Sequence, residues 1–99
     1  MPPEAALLRG LKKMVIRECN VRDITLEEIG DDEPIIGERL PLDSLDAVEI
    51  VAALERYFGI RLESAGASRK VFRSFRTMAE FVSANANGEK IAIFVTRFH

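Results

Sequence analysis

The segment from Asp43 to Phe58 constrains the fold most strongly, because it has the pattern of a helix that is capped at both ends. Asp43 or Ser44 can cap its start, and Gly59 stands where a C-terminal cap glycine belongs. Apolar residues recur at helical spacing and predict one buried stripe along this helix. That stripe is Val48, Val51 and Leu54 or Phe58, with Ile50 and Leu45 at its edges.

Three further segments carry helix signals. The first runs from Glu4 to about Cys19, where the apolar spacing predicts an amphipathic helix. Ser68 can cap a short helix, and Thr77 can cap a last helix in which Glu80 completes a capping box. The predicted stripe of the first helix is Leu7, Leu11, Met14 or Val15, and Glu18 or Cys19.

Residues 20–43 form a long polar connection, in which Thr25–Glu28 has a capping-box pattern that predicts one short turn. A structureless stretch of this length is uncommon in a compact domain. We therefore expect the apolar residues of the connection to tie it to the core. These residues are Ile35, Ile36, Leu40 and Leu42.

The apolar run Ile91–Val95 is too short for periodicity to separate a strand, a helical turn or a docked segment. We expect it to dock against the bundle, beside the first helix. The whole pattern predicts an all-α fold, a small four-helix bundle with a long first loop, a short third helix and an apolar C-terminal extension. The expected organisation is one domain over residues 1–88, with residues 89–99 docked on it.

The two scarcest reactive residues restrict the chemistry. Cys19 is the only cysteine, which excludes a disulfide or a Cys-based zinc site within one chain and favours a reducing, cytoplasmic setting. His99 is the only histidine and is terminal, so catalysis that depends on a positioned imidazole is hard to build. We expect no catalytic residue, no metal site, no membrane span and no secretory signal, and a binding or carrier role instead of an enzyme.

Charge is distributed unevenly along the chain. The net charge is +2 over residues 1–20, −8 over residues 21–63 and +4 over residues 64–99. An acidic block of this size repels nucleic acid and attracts proteins with basic surfaces. The basic segment within residues 69–76 allows binding to nucleic acid or to an anionic membrane, but a solvated face with core phenylalanines is the simpler interpretation.

Ser44 stands where the acidic loop becomes a helix. Free backbone N–H groups and the positive end of the helix dipole favour an anion at such a place. No general base is visible that would make Ser44 a nucleophile, so it is either a simple helix cap or an acceptor modified by another enzyme.

The ten residues Leu42–Val51, Leu-Asp-Ser-Leu-Asp-Ala-Val-Glu-Ile-Val, strongly resemble the phosphopantetheine attachment motif of acyl carrier proteins. The following Ala52–Ile60 resembles the rest of the second helix in that family. The likeness extends from about Leu7 to Val82, through a long first helix, a long loop, the Asp-Ser-Leu helix, a short third helix and a fourth helix led by Thr-Met.

This resemblance implies that Ser44 carries 4′-phosphopantetheine, installed by a phosphopantetheinyl transferase, and that Asp43 helps to orient it. The protein would catalyse nothing, and would present thioester-bound acyl groups to loading enzymes, synthases or acyltransferases that have basic docking surfaces. It would work as a monomer. The residues that match the partner-facing positions of the family are Leu45, Asp46, Glu49 and Glu55.

The chain departs from the housekeeping members of that family. Ala52 replaces a larger apolar residue, Glu63–Arg76 is long and basic, and Ile91–His99 continues past the usual end. These departures suggest a specialised carrier for cell-envelope lipid, lipopolysaccharide or polyketide-like synthesis, not the general fatty-acid carrier. The alternatives are an unmodified helical interaction module of the same fold and an aminoacyl or peptidyl carrier.

Overall fold

Helices make up all the regular secondary structure in the part of the computed structural model that is described, residues 3–36, 40, 42–62 and 65–99. The all-α prediction is confirmed. The helices are α1 (Pro3–Glu18), α2 (Ser44–Phe58), α3 (Ala65–Val71), α4 (Phe75–Asn85) and α5 (Gly88–Arg97), with a 3-10 turn at Leu26–Glu28. No helix within these ranges is long and apolar enough to cross a membrane.

Helix α1 lies at the centre of the bundle and packs against α2, α4 and α5. Its predicted inward stripe is confirmed except at the C-terminal end, where Glu18 and Cys19 are half-buried. Helix α2 also ends as predicted: Gly59 adopts the left-handed conformation (φ 66°), and its N–H donates to the Glu55 carbonyl at 2.9 Å. The buried α1 residues are Leu7, Leu11, Met14 and Val15.

The predicted buried stripe of α2 is partly wrong. Val48 is 65% exposed, whereas Ile50, placed at the edge of the stripe, is completely buried. Helix α2 turns Ile50, Ala53, Leu54 and Phe58 inward, while Val51 is half-buried. This is the face of α2 that contacts α1 and α5, and burial of its apolar side chains there stabilises the bundle.

The predicted starts of α3 and α4 are also wrong. Ser68 does not cap α3, since the helix already begins at Ala65. Helix α4 is capped by Ser74 instead of Thr77: the Thr77 N–H donates to Ser74 Oγ at 3.0 Å, and the Ser74 N–H donates to Thr77 Oγ1 at 2.9 Å. This earlier start allows Phe75 to enter the core. Residues 63–64, in the long region before α3, lie outside the described residues.

The long connection is tied to the core, as its apolar residues predicted. Ile35, Leu40 and Leu42 are buried and Ile36 is half-buried; residues 37–39 and 41 lie outside the described part. Thr25 precedes the predicted short turn, but its hydroxyl donates to Glu28 at 3.2 Å and does not cap the backbone.

The apolar tail, whose conformation the sequence does not determine, forms helix α5. It is capped by Asn87 and packs on α1 and α2, with Phe94 buried among aromatic rings. Gly10 of α1 allows this packing, because a Cβ there would lie 2.9 Å from the Phe94 ring. The division of the chain into residues 1–88 and 89–99 remains a prediction.

Candidate functional site

Asp43 organises the start of α2. Its carboxylate oxygen Oδ1 accepts hydrogen bonds from the N–H groups of Leu45 (3.0 Å) and Asp46 (3.1 Å). The Asp46 carboxylate in turn accepts from the Asp43 N–H at 3.0 Å, which completes a capping box. The pattern Asp43-Ser-Leu-Asp46 has the spacing of such a box, so the sequence carried this signal, although the sequence analysis did not use it.

Ser44 therefore has no capping task. Its side chain is exposed, and its hydroxyl makes no hydrogen bond to the residues that the structure describes. The expectation of free N–H groups at this helix end needs correction, because Asp43 already occupies those of Leu45 and Asp46. What remains at Ser44 is an accessible hydroxyl at the positive end of a helix dipole.

A groove of about 350 Å³ runs between α2 and α3. Ala47 and Val48 line it one turn after Ser44, and Val51 lines it two turns after Ser44, so the hydroxyl stands above one end of the groove. Ile36 of the loop, Ser68 and Arg69 of α3, and Phe72 just after α3 complete the lining. No local sequence pattern marks these residues as one site, because they come from separate segments of the chain.

The exposed face of α2 joins apolar and acidic side chains. Leu45 is 76% exposed, and Glu49 and Glu55 are exposed as well. Glu55 also accepts a hydrogen bond from the Leu62 N–H at 3.3 Å. Asp46, the fourth of the predicted partner-facing residues, is half-buried, and its carboxylate is held in the capping box.

Cys19 lies just below this face, with its Sγ 3.9 Å from the Asp46 carbonyl oxygen. Partial burial, followed by the negative charges of Asp46 and Glu49, raises the pKa of the Cys19 thiol to about 11. The thiol therefore stays protonated near neutral pH, where it is a poor nucleophile.

The basic segment within residues 69–76 does not form one cationic patch. Arg76 is held by the acidic loop, with its Nε 2.6 Å from the Asp32 carboxylate. This hydrogen bond keeps the pKa of Asp32 below its usual value. Of the two phenylalanines predicted to be core, Phe75 is buried, whereas Phe72 is half-buried and lines the groove together with Arg69.

Comparison with known families identifies the class of protein. A family model described as a phosphopantetheine attachment site matches residues 9–82, which is most of the chain. The chain belongs to this family, and its cofactor is 4′-phosphopantetheine, which the family attaches covalently to a serine. Carrier domains of this kind are generally not catalytic and work with phosphopantetheinyl transferases and synthases. No solved structure matches the chain.

The residues at the start of α2 are suited to carry a 4′-phosphopantetheine group. An attached phosphodiester needs an accessible hydroxyl with room beside it, and Ser44 provides both because Asp43 alone caps the helix. A flexible arm and its cargo need apolar surface within reach, and Ala47, Val48 and Val51 provide it on the same face of α2.

Proposed function

We propose that the chain is an acyl carrier protein whose phosphopantetheine is attached to Ser44. The observation that carries this proposal is the free, exposed Ser44 hydroxyl at the start of α2, above the groove that begins with Ala47 and Val48. When bound, a phosphopantetheine arm supplies a terminal thiol that holds acyl groups as thioesters.

The chain's own residues would hold and shelter the cargo. Asp43 fixes the first turn of α2 and thereby the direction of the Ser44 hydroxyl. Val48, Val51 and Phe72 offer apolar surface to an acyl chain, which lowers its exposure to water. No step of this function needs a general base on the carrier, because another enzyme makes and breaks the covalent bonds.

Partner enzymes would meet the exposed face of α2. Leu45 offers an apolar contact, while Glu49 and Glu55 attract basic docking surfaces and increase association rates. We propose a phosphopantetheinyl transferase, acyl-loading enzymes and synthases or acyltransferases as partners, without nucleic acid. Asp43 would also help to place the coenzyme A substrate of the transferase.

The biological setting is part of the same proposal. We propose a monomer in the cytoplasm that serves lipid, lipopolysaccharide or polyketide-type synthesis. The basic residues Lys70 and Arg73 and the added helix α5 support a specialised carrier over a housekeeping one.

Intact mass after incubation with coenzyme A and a phosphopantetheinyl transferase tests the attachment. We expect the wild-type chain to gain the mass of one phosphopantetheine and Ser44→Ala to gain none. Ser83→Ala is the matched control, because Ser83 is also exposed on a helix but lies on α4. A gain in Ser44→Ala would move the site elsewhere, and no gain in the wild-type chain would favour an unmodified interaction module.

A further inference from the structure

The groove beside α2 is apolar except on its α3 wall. Five of its seven lining residues are apolar, and the two polar ones, Ser68 and Arg69, are neighbours on one helix. Ser68 is half-buried and Arg69 is exposed. One wall of an acyl-binding groove thus presents a hydroxyl and a guanidinium side by side.

Arg69 has no ion pair or hydrogen bond with the residues that the structure describes. Arg76, close by in sequence, differs because Asp32 holds it. A guanidinium is a planar fork of N–H donors that suits a carboxylate. Arg69 is therefore a cation that lines the groove and is available to a ligand in it.

We propose that Ser68 and Arg69 bind a carboxylate on the acyl cargo, so that the groove selects acyl groups with an anionic far end. This inference rests on the proposed attachment of the arm at Ser44. The phosphodiester of the arm is the other possible anion. It would sit at Ser44 itself, which does not line the groove, whereas Arg69 does.

Melting temperatures of loaded holo-protein test the proposal. A transferase would load the chain from either hexanoyl- or adipoyl-coenzyme A, two six-carbon cargoes that differ in the terminal carboxylate. We expect adipoyl to raise the melting temperature about 4 °C more than hexanoyl in the wild-type chain, the shift of one partly exposed ion pair. Arg69→Gln should abolish this difference.

Lys70→Gln is the matched control, because it removes one positive charge from the same helix but does not line the groove. This variant should keep the higher melting temperature of the adipoyl-loaded protein relative to the hexanoyl-loaded one. Equal melting temperatures for the two cargoes in the wild-type chain, or loss of the difference in Lys70→Gln, would overturn the proposal.

Two further measurements separate the possible failures. Intact mass shows whether each variant is loaded, so a missing arm counts against Ser44 and not against Arg69. The second measurement compares the melting temperatures of the unloaded holo-protein and the apo-protein. If Arg69→Gln removes a stabilisation by the unloaded arm that is as large as the adipoyl effect, the guanidinium binds the phosphodiester and the cargo proposal is wrong.

Discussion

Asp43 and Ser44 are neighbours with similar capping preferences, and the structure gives them separate roles. Asp43 holds the first N–H groups of α2, which leaves the Ser44 hydroxyl exposed and unpaired among the described residues. A serine that also capped its helix would have to break that bond when modified. Because Asp43 makes the capping hydrogen bonds, the Ser44 hydroxyl is accessible and the helix keeps its cap.

The stability of two single variants should reflect this division. We expect Asp43→Ala to lower the free energy of unfolding by about 1 kcal/mol, because the cap is lost. Ser44→Ala should change it by less than about 0.5 kcal/mol, since no hydrogen bond of the cap involves its hydroxyl. Urea unfolding measures both, and Asp43→Asn, which keeps the acceptor, is the control. A larger loss of unfolding free energy in Ser44→Ala than in Asp43→Ala would show that Ser44, and not Asp43, caps the helix.

Cys19 should be an unreactive thiol in the folded protein. Partial burial raises its pKa from 9.0 to about 11, which lowers the thiolate fraction near neutral pH about 100-fold. We expect iodoacetamide to alkylate Cys19 about 100-fold faster in urea than in the native state. Since the folded pKa is the higher one, this thiol favours folding below pH 9, and the contribution is lost as the pH rises through about 11. Equal rates in both states would contradict the shift.

Helix α2 combines a buried face with the exposed face that we propose meets partner enzymes. Glu49 is exposed on that face and takes no part in the capping box, whereas Asp46 belongs to the box. A charge reversal at Asp46 would therefore change stability as well as recognition, and Glu49 is the cleaner probe.

Glu49→Lys should slow association with a phosphopantetheinyl transferase several-fold at low salt, and high salt should reduce the difference. Stopped-flow association rates measure this effect. Glu80→Lys makes the same charge change on α4 and should leave the rate nearly unchanged. If both variants slow binding equally, net charge and not the α2 face controls the encounter.

Helix α5 is an added element that shares the core of the bundle. Phe94 is 1% exposed and packs on Phe58 and Tyr57 of α2, whereas Ile93 beside it is 62% exposed. We expect Phe94→Ala to lower the free energy of unfolding by about 3–5 kcal/mol and Ile93→Ala by less than about 0.5 kcal/mol. Chemical unfolding measures both. Similar small losses would mean that α5 contributes little to the core.

A few charged contacts hold the long connection against the rest of the molecule. Lys12 of α1 donates to the Ile29 carbonyl at 2.8 Å and pairs with Asp31, and Arg76 of α4 pairs with Asp32. The Ile35 N–H donates to the Phe72 carbonyl at 3.3 Å, which joins the connection to the segment after α3. These contacts place Ile36 in the groove, so the connection is part of the site.

Arg76→Gln should loosen this connection. We expect faster amide hydrogen exchange at Ile35, with α1 unaffected, because the loop loses a charged anchor on α4. Arg73→Gln, an exposed charge without a partner among the described residues, should leave the exchange unchanged. Because the ion pair with Arg76 lowers the pKa of Asp32, the pair contributes to stability at pH values above the ordinary pKa of an aspartate. This contribution is lost in acid, when Asp32 becomes protonated. Unchanged exchange in Arg76→Gln would show that apolar packing alone holds the loop.

Local patterns are enough to predict the helical class, the capped helix after Asp43 and the serine at its start, because caps and apolar spacing act over a few residues. The buried face of α2 depends instead on tertiary packing, since α1 and α5 contact the side of Ile50 and not that of Val48. Tertiary packing also separates two arginines of one basic segment: Arg76 pairs with the acidic loop, and Arg69 lines the groove. Such assignments depend on contacts between residues far apart in the chain, and no local pattern encodes them.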